Sequence, residues 1–174
     1  MTAAATPLAR VVVLGCGNPS RGDDALGPAL MARVAAWVAC RPGRPVEAVE
    51  DFQLQVEHTL DLCERDLALF VDAVAGGPAA VRLRRAWPAR AGGVSTHALA
   101  PEALLHAYST LGRGAPPPAY VLAVRGRAFD LGAPLTPEAA RNLETAWAVL
   151  ERLLGHPARA DWDALCASGP TALP

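Results

Sequence analysis

The sequence contains no lysine; all sixteen basic residues are arginine. That excludes Schiff-base catalysis, which needs an amine, and any phosphate loop built around a lysine. A large excess of charge of either sign is also lacking: the formal net charge is -1. The chain therefore reads neither as disordered nor as a binder of polyanions. Long apolar runs are missing as well. The run Val11 to Leu14 is too short for a membrane span or a signal-peptide core. The expected location is the cytoplasm, with no membrane and no nucleic-acid partner. Cys16, Cys40, Cys63 and Cys166 show no CxxC spacing and read as free thiols. An HExxH zinc-peptidase motif is absent, and none of Ser20, Ser95, Ser109 and Ser168 lies in a G-x-S-x-G elbow.

What is present is 174 residues with an apolar content sufficient for one core. Residues 1–9 read as a flexible leader, 10–155 as a single domain and 156–174 as a peripheral tail with a short turn near Trp162. Within the domain, apolar strands are expected at 10–14, 46–49, 67–71, 81–85 and 120–124. Leu26, Leu30, Val34 and Trp37 recur at helical spacing, and short helices are expected at 59–65 and 101–108. Thr136 followed by Pro137 caps a long last helix with Leu143, Trp147, Leu150 and Leu154 on one face. Alternating strands and helices predict an α/β fold: a three-layer α/β/α sandwich with a mostly parallel sheet of about five strands. Such folds bind ligands beyond the carboxyl ends of their strands.

The segment VVVLGCGNPSRGDDALG, 11–27, joins the first strand to the first helix through a glycine-rich loop with two adjacent carboxylates. A nucleotide is disfavoured there. Gly15, Gly17 and Gly22 miss the GxGxxG spacing, because Ser20 stands in the third position, and Asp23 with Asp24 would repel a pyrophosphate. A cation suits the loop better. Asp24 and Asp72 both sit at or just past strand ends, and buried carboxylates require a cation, a proton or hydrogen bonds. Helix and turn capping by the same residues is the competing reading, and spacing alone leaves both open. His97, in a glycine- and serine-rich loop, is a third candidate ligand, since imidazole with carboxylates suits zinc, nickel or iron. His58 and His106 fall in or beside expected helices, and His156 at a helix end; the other reading of His58 is a local polar pair with Glu57 above the same crevice. Cys16, between two glycines, reads as a small buried side chain rather than a nucleophile. Asn18 either closes an Asx turn or contacts a ligand. The basic cluster Arg82, Arg84, Arg85 and Arg90 is either a solvated face or a docking patch.

The stretches GCGNPSRGDDALGPAL, FVDAVAGG and STHALAPEAL together resemble the hydrogenase maturation endopeptidases, over about 11–154. That family removes a C-terminal peptide from the precursor of the nickel–iron hydrogenase large subunit. The resemblance implies that Asp24, Asp72 and His97 contact a metal and carry catalysis, with Gly17, Asn18 and Asp23 shaping the loop or binding substrate. Many family members have Glu where this chain has Asp24; the arm is shorter, but either side chain ligates through oxygen. The resemblance further implies nickel supplied by the precursor rather than held permanently, the precursor as protein partner, and a monomer. The stretches 19–22, 51–55 and 125–129 are similar to the branch serving soluble NAD-linked hydrogenases. The alternatives are a non-cleaving, nickel-dependent precursor chaperone or a related peptidase with another protein substrate.

Overall fold

In the computed structural model, which describes residues 9–90 and 99–168, five strands form one sheet. They are β1 (Val11–Cys16), β2 (Val46–Asp51), β3 (Leu67–Ala75), β4 (Val81–Ala86) and β5 (Ala119–Gly126), in the spatial order β2-β1-β3-β5-β4. Four strands are parallel and β4 runs antiparallel to β5. The connection after β3 explains the exception. Only five residues separate β3 from β4, too few for a crossover helix, so β4 must run back. The slot between them is filled later by β5.

The helices are α1 (Leu26–Ala39), α2 (Pro101–Thr110), α3 (Pro137–Gly155) and α4 (Arg159–Ala167). One core layer joins α1, α3 and Trp162 to Val11, Val13, Leu69 and Val71 on one sheet face. The other joins Leu104, Leu105 and Tyr108 of α2, with Leu54 and Leu62, to Val12, Leu14, Phe70 and Val121. The result is the expected three-layer sandwich. Leu26, Leu30, Val34 and Trp37 are all buried, as their helical spacing requires. The Thr136 hydroxyl accepts a hydrogen bond from Ala139 N–H at 3.2 Å, capping α3. None of the described helices is long and apolar enough to cross a membrane.

Three elements differ from the sequence expectation. The helix expected at 59–65 is a single 3-10 turn, Val56–Thr59, followed by turns. Glu64 adopts φ 57°, which stops any helix there and lets the chain reverse into β3. Next, β3 does not end at Val71. Its pairing with β1 stops at Gly15 opposite Val71, but its pairing with β5 continues from Asp72 opposite Ala123 to Ala75 opposite Gly126. Asp72 therefore lies inside a strand, at the point where one neighbour departs. Finally, the short turn expected near Trp162 is the nine-residue α4. The indole is fully buried, donates to the Leu153 carbonyl at 3.0 Å and meets the Tyr120 ring edge-on at 5.0 Å.

Candidate functional site

The strand order places a topological switch point between β1 and β3. From β1 the chain crosses to β2 on one side, while β3 lies on the other. Loops leaving a sheet at such a point diverge and open a crevice at the carboxyl ends of the strands. The loop after β1 and Asp72 of β3 both lie there.

The loop owes its shape to close backbone approaches. Gly17 has φ 148°, and a Cβ on it would stand 2.1 Å from the Asp24 carbonyl oxygen. A Cβ on Gly27 would stand 1.9 Å from the Cys16 carbonyl oxygen, so α1 seats against the end of β1 only through glycine. The Asn18 side chain accepts from Ser20 N–H at 2.9 Å, an Asx turn that sets the bend. Asn18 N–H in turn donates to Asp24 Oδ2 at 2.9 Å.

The two adjacent aspartates are partnered very differently. Asp23 is fully buried. Its carboxylate accepts from Arg127 N–H at 2.7 Å, Ala128 N–H at 3.2 Å, Thr136 N–H at 2.7 Å and the Thr136 hydroxyl at 2.9 Å. Burial works against its charge, but these donors outweigh it and hold the carboxyl below its ordinary value. Asp23 thus fastens the loop to the segment between β5 and α3. Asp24 is half-buried, and the Asn18 N–H fixes one of its oxygens. Its other oxygen accepts no hydrogen bond among the described residues.

Asp72 faces the same crevice. Its side chain is exposed by area, yet protein crowds its carboxyl. That crowding, and then the Asp24 charge, pushes it up to about 6 against the pull of the Ala73 N–H. Neither Asp24 nor Asp72 has an ion-pair partner among the described residues. Cys16 stands beside them, half-buried, its thiol pushed up to about 12 by burial and then by Asp72, Asp51 and Asp24. A thiol so placed stays protonated and is a poor nucleophile.

Asp51 and His58 add a polar pair to this neighbourhood: His58 pairs with Asp51, where the sequence suggested Glu57 as its partner. His58 is buried, with Nε2 3.5 Å from Asp51 Oδ2. Its Nδ1 lies 2.9 Å from Gln55 N and 3.2 Å from the Gln55 carbonyl oxygen, which holds the ring with Nε2 toward Asp51. Asp51 ends β2 directly opposite Cys16. The signal available in the sequence was the parallel-sheet rule itself, because every strand-terminal residue of adjacent parallel strands shares one edge.

His97 lies outside the described residues. Among those described, no three His, Cys, Asp or Glu side chains converge on a point that could hold a metal ion. His156 lines a different cavity, of about 450 Å³, between α3 and α4. The arginine cluster splits. Arg84 pairs with Glu102, and Arg85 with Asp163 at 2.7 Å, while Arg82 is exposed.

The arrangement suits cation recognition chemically. Two carboxylates with unspent acceptor capacity meet at a switch-point crevice, and no arginine among the described residues neutralises them. A divalent ion there would relieve the strain of bringing the two charges together.

No family model and no curated protein matches the chain. Solved structures do. The fold is similar to that of the hydrogenase maturating endopeptidase HybD from E. coli, with TM-score 0.65 and 21% identity, covering 87% of this chain and 99% of that one. It is similar to the [NiFe] hydrogenase maturation protease HycI from Thermococcus kodakarensis, with TM-score 0.65 and 20% identity, covering 86% and 95%. A hydrogenase 2 maturation peptidase from a Thaumarchaeota archaeon gives TM-score 0.56 and 21% identity, covering 84% and 98%.

Proposed function

We propose that this chain is an endopeptidase that removes the C-terminal extension of a nickel-loaded nickel–iron hydrogenase large-subunit precursor. The observation that carries the reading is the Asp24–Asp72 pair. Both carboxylates face the switch-point crevice, and neither has an ion-pair partner among the described residues. The fold is similar to those of a hydrogenase maturating endopeptidase and a [NiFe] hydrogenase maturation protease, and the motifs at 15–30, 70–77 and 95–104 carry the resemblance.

In this reading Asp24 and Asp72 recognise the nickel already seated in the precursor, and His97 completes the set. Nickel is thus part of the substrate. A nickel ion recognised by these residues would favour the ionised form of Asp72, whose carboxyl is otherwise pushed up to about 6. Held there, nickel would supply Lewis-acid polarisation of the scissile carbonyl or its water; the alternative role for one of the two carboxylates is general base toward that water. Asp23 takes no part in the chemistry; it holds the loop. The 51–55 and 125–129 stretches favour a precursor of the soluble NAD-linked type, met in the cytoplasm by a monomeric peptidase.

The test is the intact mass of nickel-loaded precursor incubated with the purified protein. Loss of one C-terminal peptide is the expected result, and nickel-free precursor should be cut poorly. A nickel-loaded precursor of unchanged mass, still cut by another competent peptidase, would overturn the reading.

A further inference from the structure

The crevice does not end at Asp72. On β5, Ala123 is the register partner of Asp72 on one side and of Arg82 on the other. The three residues form one row across the sheet, and all line a cavity of about 290 Å³ on the α2 face. Alternation puts them there: Phe70 and Val121, two residues before Asp72 and Ala123, belong to the α2-side core, whereas Val81 and Leu83, flanking Arg82, pack on the opposite face. Two strand spacings separate the Asp72 and Arg82 backbones, about 10 Å. Ala123 between them is small and leaves the floor of the trough open.

Arg84, further along the same bank, is neutralised by Glu102. Arg82 is exposed and has no carboxylate partner among the described residues. Residues 1–8, 91–98 and 169–174 contain no Asp or Glu that could supply one. The trough thus carries an acidic end and, about 10 Å away, an uncompensated guanidinium.

We propose that Arg82 is a specificity-determining residue that receives an acidic side chain of the precursor polypeptide, two to four residues from the bond that is cut. The inference rests on the peptidase reading above and names a feature of its substrate. An extended chain advances roughly 3.3 Å per residue, so a segment crossing the row places its third residue over Arg82. Guanidinium and carboxylate pair in a planar, two-point geometry. The Asp24 and Asp72 charges repel the same acid from the other end, so the charge order of the trough fixes the direction in which the segment lies.

The experiment compares nickel-loaded precursors that differ by Glu or Lys at single positions two to four residues either side of the cut bond. Wild type should cut the Glu form faster at one of these positions, by roughly fivefold in kcat/KM. Arg82→Glu should reverse the preference at that position toward Lys, and Arg82→Gln should level it. A purely structural role for Arg82 would not reverse a charge preference. Should Arg82→Glu fail to fold, the levelling by Arg82→Gln decides alone. No preference at any position in wild type, or a ratio unchanged by the Arg82 substitutions, overturns the inference while leaving the peptidase reading intact. Wild type that cuts none of these precursors overturns both.

Discussion

The molecule handles buried charge in two opposite ways at two places on its sheet. Near the start of β5, Asp163 of α4 meets Arg85 at 2.7 Å, the Tyr120 hydroxyl at 2.8 Å and Arg159 at 3.4 Å. Burial opposes its ionisation, but the Tyr120 hydroxyl and the two arginines prevail, so its carboxyl stays below the ordinary range. At the crevice, the Asp24 charge and the Ala73 N–H are what act on the Asp72 carboxyl among the described residues, and burial with the Asp24 charge pushes it up to about 6. The first arrangement is what a carboxylate needs in order to hold structure together. The second costs the folded chain a little stability once Asp72 is ionised, the kind of cost that perturbed carboxyls carry where they cluster.

Breaking the structural end gives the largest expected effect. Trp162→Ala should cost about 3–5 kcal/mol of stability, through the cavity left by the indole and the loss of its hydrogen bond to Leu153. The folded fraction should still cut precursor at the wild-type rate. Urea denaturation paired with the mass assay checks both halves.

The adjacent aspartates sharpen the contrast further. Asp23→Ala strips four hydrogen-bond donors of their acceptor and should cost about 3 kcal/mol. Asp24→Ala removes a half-buried group with one hydrogen bond and should cost about 1 kcal/mol or less. Cleavage should respond differently: Asp24→Ala should lower kcat/KM about a hundredfold in a protein of near-native circular dichroism. Equal stability losses for the two variants would remove the distinction between a fastening and a recognising carboxylate.

The smallest effect is one of slope. The Asp72 carboxyl titrates higher in the folded chain than in the unfolded chain, so the folded state holds its proton more tightly. Its contribution to stability is full below about pH 4 and is lost as pH rises through about 6. Asp72→Asn should therefore flatten the fall in stability between these values, measured as chemical-denaturation midpoints across pH. Saturating nickel precursor should flatten it in wild type too.

The legible part of this fold was written in periodicities. The apolar runs of β1, β3 and β5 and the heptad-like stripe of α3 depend on burial alone, and burial repeats along the chain. What escaped was set by partners distant in sequence. β3 continues to Ala75 because β5 is there to pair with it, and nothing within residues 67–75 announces that. The Asp51–His58 pair is nearer in sequence, but it forms only because the 3-10 turn Val56–Thr59 folds back on the end of β2. Trp162 gave too little signal for a helix, since α4 is short and most of its residues face water. Within the candidate site, Asp24 and Asp72 were visible as acids at strand ends. The different duties of Asp23 and Asp24 were not, because they depend on donors at Arg127, Ala128 and Thr136.

That dependence has a bearing on when the protein becomes competent. The partners of Asp23 lie 104 to 113 residues further along the chain. A nascent polypeptide that has delivered the acidic loop but not yet the β5–α3 segment has an unanswered carboxylate at the heart of the loop. The loop cannot take its final shape until the last third of the chain has emerged. The acidic loop is thus among the first parts of the chain to be made and waits for residues as far on as Thr136 before its carboxylate is answered.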